Sequence, residues 1–215
     1  MTGLRLSGIA IEVDGKHLFD GFDLTVQPGE ITTIMGPSGC GKSSLLSYIC
    51  GTLAPMLAAS GTVSLNGDDI TGLPPERRRV GILFQDDLLF PHLSVGENLM
   101  FALPRRIRTK IDRNAEVEAA LKEADLEGFA DRDPATLSGG QRARVALMRT
   151  LLSSPKCLLL DEPFAKLDHE LRHRVRSFVL DHARDAGIPT LLVTHEASDA
   201  EAAGGPVIEL AGFFS

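Results

Sequence analysis

The segment Gly36–Ser43 carries residues whose types and spacing can bind phosphate. It fits the pattern G-x-x-x-x-G-K-[ST] without a mismatch, reading Gly36, Pro37, Ser38, Gly39, Cys40, Gly41, Lys42 and Ser43. Glycine tolerates the positive φ angles that turn backbone N–H groups toward a phosphate. A lysine in this position brings positive charge to the β- and γ-phosphate oxygens, and a serine hydroxyl can bind Mg²⁺. The segment therefore predicts a site for a purine nucleotide and Mg²⁺.

The elements on either side of this loop must place the phosphates at the start of a helix. We expect Ile31–Met35 to form a buried strand, and Ser43–Cys50 to form a helix that ends at Gly51. Ser44 belongs to the first turn of that helix, and we include it in the predicted phosphate site. Free N–H groups and the helix dipole both favour an anion at a helix N-terminus.

The composition predicts one α/β domain, or one domain with a subdomain. The chain has 215 residues, 43% of them hydrophobic, which is ample for a core. A net charge of −7 argues against nucleic acid as the main partner. Two basic runs, 77–79 and 105–113, can suggest a phosphate-rich partner. We favour the interpretation that they form a solvated surface.

The cysteines and the apolar runs predict a reduced protein that does not itself cross a membrane. Cys40, Cys50 and Cys157 are odd in number and lack the spacing of metal ligands, so we expect free thiols in a cytoplasmic protein. The first residues do not resemble a signal peptide. No apolar run approaches the length of a transmembrane helix, so a membrane role would require a partner.

Hydrophobic patterning predicts a small sheet, a core sheet and a helical insertion. Alternation over 4–13 and 22–26 indicates antiparallel strands before the phosphate loop, and Asn66-Gly67 indicates a hairpin. Charge over 86–135 and the helical spacing of Val117, Ala120, Leu121 and Ala124 indicate inserted helices, followed by a helix from Gly140. The later elements are an apolar strand over 157–160, a helix with Leu171, Val175, Phe178 and Val179 on its buried face, and a strand over 190–194.

A second motif indicates which family of nucleotide-binding proteins the chain resembles. Leu137, Ser138, Gly139, Gly140 and Gln141 spell LSGGQ, and the chain here resembles the ATPase subunit of an ABC transporter. The resemblance covers essentially the whole chain. It matches Leu158–Glu162 to the Walker B strand with its glutamate, and it matches the Q-loop, D-loop and switch histidine to Gln85, Asp168 and His195.

The resemblance implies a role for each matched residue. Asp161 would hold Mg²⁺ with Ser43 and Gln85, Glu162 would take a proton from the attacking water, and His195 would contact the γ-phosphate. The signature residues Ser138–Gln141, together with Asp168, would face the ATP held by a second copy of the chain in a head-to-tail dimer. The implied fold is a P-loop NTPase core, 1–85 and 155–215, with an antiparallel β subdomain and a helical subdomain over 86–154.

Further features of the resemblance favour an importer. The stretch Gln85–Leu99 is similar to the region where importer ATPases receive a coupling helix, and the chain ends about twenty residues after His195, so we expect no regulatory tail. In this respect the chain resembles short thiamine-type and YnjD-like ATPases. The implied partners are a multi-spanning permease at the cytoplasmic face of the membrane and, indirectly, a periplasmic or extracellular solute-binding protein. The alternatives are a soluble assembly ATPase and an extrusion or lipoprotein-release ATPase.

Some positions depart from the family pattern. Val13 stands where an aromatic ring usually stacks on adenine, and Phe19 is a nearby ring that could replace it if its loop moved. Ala165 and Lys166 stand where serine and alanine commonly precede the D-loop Leu-Asp pair. Glu196 replaces the common aspartate after the switch histidine. We expect weak base selectivity and altered D-loop contacts, with the groups needed for hydrolysis retained.

Overall fold

Nine strands and seven helices follow one another along residues 3–210, the part of the chain that the computed structural model describes. The strands are β1 (Leu4–Val13), β2 (Lys16–Val26), β3 (Ile31–Met35), β4 (Ala58–Leu65), β5 (Asp68–Asp69), β6 (Val80–Phe84), β7 (Cys157–Asp161), β8 (Thr190–Thr194) and β9 (Val207–Glu209). The helices are α1 (Lys42–Cys50), α2 (Pro75–Arg78), α3 (Val95–Ala102), α4 (Lys110–Glu123), α5 (Gly139–Leu152), α6 (His169–Asp185) and α7 (Ala197–Ala203). A 3-10 turn covers Pro134–Thr136.

The strands form two sheets. A four-stranded sheet has the order β2-β1-β4-β5, and a five-stranded sheet has the order β6-β7-β8-β3-β9. The pairs of the first sheet are antiparallel, whereas β7, β8, β3 and β9 pair in parallel. Parallel pairing brings the carboxyl ends of β3, β7 and β8 to one edge, which is where α/β sheets place their ligands.

The antiparallel sheet begins with a hairpin that sequence patterning predicted only in part. β2 starts at Lys16, six residues before the predicted start at Phe22. Asp14 and Gly15 have φ angles of 49° and 74°, which gives the two-residue turn that matches strand twist. The polar residues of early β2 hid its alternation, but the Asp-Gly pair was a usable signal. The Asn66-Gly67 hairpin is confirmed, with φ angles of 55° and 93°.

The described residues form two compact units. The first contains 3–82, 156–162 and 180–210, and the second contains 83–155 and 163–179. The core of the first is built on the sheets and α1, and includes Leu6, Ile34, Leu45, Leu159 and Val193. The core of the second is helical, and includes Val95, Leu99, Leu121, Val145 and Met148. Each unit therefore has its own apolar interior.

The helical regions follow the predicted periodicity with two differences. Val117, Ala120, Leu121 and Ala124 are buried on α4 and at its end, as their spacing predicted. On α6, however, Val175 and Val179 are buried while Leu171 and Phe178 are only half-buried. The helical pattern identifies the inward face, but the side chains at its edges remain partly in solvent. Within residues 3–210, no helix combines the length and the apolar character that crossing a membrane would require.

Candidate functional site

The phosphate loop connects β3 to α1 and is organised around a buried lysine. Lys42 is 5% exposed, and its ammonium donates hydrogen bonds to the carbonyl oxygens of Gly36 at 2.7 Å and Pro37 at 2.8 Å. The Cys40 sulfur, a weak acceptor, lies 3.8 Å from the same nitrogen. An ammonium has three donors, so a phosphate oxygen can replace the sulfur as the third acceptor.

Two glycines of this loop are required by close packing. Gly41 has φ 93°, and a Cβ there would lie 2.9 Å from Cε2 of Phe19. A Cβ on Gly36 would lie 2.9 Å from the Cys40 sulfur and 3.0 Å from the carbonyl oxygen of Leu210. A side chain at either position would therefore displace the loop from its present path.

The first carboxylate of the site is in contact with the loop. Asp161 ends β7, and its Oδ1 accepts a hydrogen bond from the Ser43 hydroxyl at 3.3 Å. Burial raises the pKa of Asp161 above its ordinary value and the Glu162 charge adds to this, whereas the Ser43 hydrogen bond and the Lys42 charge lower the pKa. A hydroxyl and a carboxylate placed side by side are the oxygen ligands that Mg²⁺ prefers.

The second carboxylate is in contact with the switch histidine. Glu162 Oε2 lies 3.2 Å from Nδ1 of His195, which follows β8. Glu162 adopts φ 46°, and its N–H donates to the Val193 carbonyl at 2.9 Å. Backbone strain in a non-glycine residue of this kind is concentrated at functional sites. The structure thus brings Lys42, Ser43, Asp161, Glu162 and His195 together within the first unit.

The signature segment belongs to the second unit, where it starts α5. Ser138 accepts a hydrogen bond from the Gln141 N–H at 3.3 Å, and the Gln141 side chain accepts one from the Ser138 N–H at 2.9 Å. This is a capping box. A Cβ on Gly140 would lie 2.4 Å from Cδ1 of Leu171, so any larger residue there would force the Leu171 side chain to move. Asp168 accepts a hydrogen bond from the Leu171 N–H at 3.0 Å at the start of α6.

Gln85 also belongs to the second unit, and its neighbour makes a contact that the sequence did not predict. Gln85 is exposed at the end of β6, and Asp86 forms an ion pair with Lys166. Lys166 is one of the two residues before the D-loop that differ from the common family pattern. The lysine therefore links the segment after Gln85 to the segment that leads to Asp168.

A buried arginine was assigned incorrectly from the sequence. Arg78 lies in a basic run that we expected to be a solvated surface, but it is 6% exposed. Its guanidinium donates to the carbonyls of Tyr48 at 2.8 Å and Ile49 at 2.9 Å in the last turn of α1, and to that of Leu73 at 2.8 Å. It also donates to the Thr71 carbonyl. Arg78 thus stabilises the end of the helix that carries the phosphate loop.

The two candidates for base recognition have different environments. Val13 is half-buried at the hairpin tip. Phe19 is 4% exposed and packs edge to face against Phe22, with ring centroids 5.4 Å apart. Because Phe19 also lies against Gly41, stacking on a base would require it to leave the core.

Comparison with known proteins decides the family. The family model described as ABC transporter matches residues 19–165, from β2 past the second carboxylate. The chain belongs to the ABC transporter ATP-binding family. It is accordingly an ATP-binding subunit with ATP hydrolase activity, and the predicted fold, a P-loop core with an antiparallel sheet and a helical insertion, is confirmed.

The curated relatives of this ABC subunit include one of similar length and several longer ones. It is 48% identical over 199 residues to the uncharacterized ABC transporter ATP-binding protein YnjD of Escherichia coli, covering 93% of this chain and 91% of YnjD. It is 41% identical to the spermidine/putrescine import ATP-binding protein PotA of Marinobacter nauticus over 97% of its length. It spans 55% of that PotA, so it matches about half of the longer protein.

Solved ABC cassettes share the fold of this subunit. A dimeric bacterial ABC transporter cassette superposes with a TM-score of 0.80 at 29% identity, over 97% of this chain and 94% of the cassette. A dimeric post-hydrolysis cassette bound to ADP and Pi also gives a TM-score of 0.80, at 28% identity over 98% of this chain and 97% of the cassette. Both of these solved structures are dimers.

Proposed function

We propose that this ABC subunit hydrolyses ATP in a head-to-tail dimer of two copies and thereby drives a separate permease that imports a solute. One observation supports the catalytic part of this proposal above the others. Lys42, Ser43, Asp161, Glu162 and His195 converge on one phosphate loop, with Ser43 on Asp161 and His195 on Glu162. This set supplies a phosphate-binding cation, metal ligands, a base and a polar contact for the transferred γ-phosphoryl group.

Glu162 is the proposed general base and His195 the proposed γ-phosphate contact. The Glu162 carboxylate would accept the proton of the attacking water, a form of assistance worth about 10²–10⁴-fold in rate. The imidazole of His195 would contact the Glu162 carboxylate through Nδ1 and the γ-phosphate through Nε2, and donating to both requires a proton on each ring nitrogen. Lys42 and Ser44 would bind the other phosphate oxygens, with the N–H groups of the loop.

The residues present fit Mg²⁺. The Ser43 hydroxyl and the Asp161 carboxylate are hard oxygen ligands at one end of β7, and Gln85 is the proposed further ligand. Among the residues that the structure describes, no group of three His, Cys, Asp or Glu side chains could hold a metal ion. Mg²⁺ usually binds to one or two carboxylates plus phosphates and water, and here it would neutralise charge on the β- and γ-phosphates.

The signature segment is the proposed contact to the nucleotide of the second copy. Ser138, Gly139 and Gly140 lie at the start of α5, whose first N–H groups lack partners within the helix. Gln141 holds Ser138 in the capping box, and Asp168 would approach the same interface. The dimeric cassettes that resemble this chain support a two-fold arrangement.

Import is the favoured direction of transport, and the permease is the proposed membrane attachment. The PotA relatives are named as import proteins, and Gln85–Leu99 resembles the permease-binding stretch of importers. The subunit would then lie on the cytoplasmic face of the membrane, with a solute-binding protein acting on the permease from the other side. A soluble assembly ATPase and an extrusion or lipoprotein-release ATPase are less favoured.

Reconstitution tests this function. The subunit is purified with a candidate multi-spanning permease and placed in vesicles that contain solute-binding protein. The proposal predicts ATP hydrolysis that requires Mg²⁺, is stimulated by loaded binding protein and is lost in Lys42→Ala. Stimulation by the binding protein distinguishes import from export. A subunit that never associates with a permease, yet hydrolyses ATP with a soluble partner, would contradict the transport role.

A further inference from the structure

We propose that Thr194 and Asp199 position the switch histidine, so that the orientation of His195 is determined by buried hydrogen bonds between the residues before and after it. The inference rests on the proposed function of His195. The Thr194 hydroxyl donates to Asp199 Oδ2 at 3.2 Å and accepts from the Glu196 N–H at 3.1 Å. The two residues on either side of His195 are therefore joined through one hydroxyl.

The burial of this chain gives it a defined geometry. Thr194 and Asp199 are each 2% exposed. A buried carboxylate requires hydrogen-bond donors, because the desolvation of its charge is otherwise unfavourable. Asp199 is an acceptor when ionised, so the Thr194 proton points toward it and a lone pair of the hydroxyl is left for the Glu196 N–H. The carboxylate thus fixes the direction of both hydrogen bonds.

The chain connects a strand to a helix across the histidine. Thr194 is the last residue of β8 and pairs with Met35 of β3, the strand that leads to the phosphate loop. Asp199 lies in the first turn of α7, and its N–H donates to the Glu196 carbonyl at 3.1 Å. Negative charge is favoured at the start of a helix. The backbone at His195 is consequently held from both sides.

His195 needs such support because its own side chain is half in solvent. The imidazole is 49% exposed, and its contact with Glu162 is 3.2 Å long. The position of such a ring depends on the backbone that carries it. Thr194 and Asp199 are buried and hold the backbone before and after the histidine, so they act as positioning residues for it.

A hydroxyl deletion with a matched control tests the inference. Thr194→Val keeps the β-branched shape and removes the hydroxyl, and Thr194→Ser restores it. Thr33→Val is the control, since Thr33 is a fully buried threonine of β3 whose hydroxyl has no hydrogen-bond partner among the described residues. We expect kcat to fall about tenfold or more in Thr194→Val, as misplacement of a catalytic group does. Nucleotide affinity should stay within about twofold, and Thr194→Ser and Thr33→Val should resemble the wild type.

The imidazole signals of the protein give a second readout. The NMR signal of His195 is identified by its absence in His195→Ala. In Thr194→Val that signal should shift while those of the other histidines remain, and in Thr33→Val all should remain. A purely structural role would lower the melting temperature and leave the kcat of the folded protein unchanged, which would overturn the inference.

His195→Ala separates the two levels of the proposal. If His195→Ala hydrolyses ATP at the wild-type rate, the proposed role of the histidine is wrong and the inference fails with it. If His195→Ala is inactive while Thr194→Val retains wild-type kcat and an unshifted His195 signal, the positioning inference alone is wrong.

Discussion

His195 and Glu162 meet at the ends of two neighbouring strands, with Nδ1 of the imidazole 3.2 Å from Oε2 of the carboxylate. β7 and β8 pair in parallel with Asp161 opposite Val193, so the residues that follow them emerge at the same edge. The Glu162 N–H extends this pairing by donating to the Val193 carbonyl at 2.9 Å. The backbone pairing thereby determines the distance between the proposed base and the proposed phosphate contact.

The left-handed backbone of Glu162 predicts that its glycine and alanine variants differ in folding stability. Its φ of 46° is unfavourable for any residue with a Cβ, at a cost of roughly 1–2 kcal/mol. Glu162→Gly should therefore be more stable than Glu162→Ala by about 1 kcal/mol, measured by urea unfolding. Glu118, exposed on α4, is the control. At position 118 the glycine variant should be less stable than the alanine variant by about 1 kcal/mol. If alanine were the more stable variant at position 162 as well, the result would argue against backbone strain at Glu162.

The sequence predicted the elements of the site better than its side-chain contacts. Apolar runs ending in Asp161, Glu162 and His195 identify strands, and parallel strands end at one edge, so their convergence follows from pattern and topology. The Thr194–Asp199 hydrogen bond depends on how β8 meets α7. The Lys166–Asp86 pair joins residues 80 positions apart. Periodicity reports which face of an element is buried, and it contains no information on such pairings.

Arg78 shows why a charge run is a weak signal of exposure. Its neighbours Arg77 and Arg79 are exposed, as the composition suggested. The middle arginine is buried because four backbone carbonyls accept its hydrogen bonds. Backbone acceptors of this kind are available at any helix end, and a sequence does not reveal which one a side chain will reach.

A composite site is predicted for the dimer. Ser138→Arg should abolish hydrolysis, and mixing it with Lys42→Ala should restore one working site, formed by Lys42 of the first variant and Ser138 of the second. With random pairing and independent sites, about a quarter of wild-type activity is expected at equal amounts. Ser138→Arg also removes a helix cap. Ser94→Arg is the matched control, since Ser94 forms the same capping box on α3 and should retain hydrolysis. No activity at any mixing ratio would count against the shared site.

Weak base selectivity is expected at Val13. Stacking on an aromatic ring adds about 0.5–1.5 kcal/mol beyond the buried area, so its loss lowers affinity by a few-fold to roughly tenfold. GTP should therefore compete with ATP within about tenfold. Val13→Tyr should tighten ATP more than inorganic triphosphate, and Val13→Leu should not. A far larger preference for ATP would indicate another contact to the base. Phe19→Ala is a poor probe of that contact, because it removes a buried ring.

Cys50 and Cys157 should resist alkylation in the folded protein. Burial raises the pKa of Cys50 to about 11 against the opposing charge of Arg78, and burial also raises the pKa of Cys157. At pH 8 only about one in a thousand Cys50 side chains would be thiolate, the reactive form. Mass spectrometry after brief iodoacetamide treatment should find both unmodified in the native protein and modified after denaturation. Equal labelling in the two states would show that these thiols are accessible.

ATP-dependent dimerisation of Glu162→Gln tests the central claim most directly. The variant keeps Lys42, Ser43 and Asp161 and lacks only the proposed base, so it should bind ATP, lose most hydrolysis and accumulate as a closed dimer. Gel filtration with ATP and Mg²⁺ should show a dimer, and removing either, or adding Ser138→Arg, should give a monomer. A Glu162→Gln protein that stays monomeric with ATP and Mg²⁺, or that hydrolyses ATP at the wild-type rate, would contradict the account.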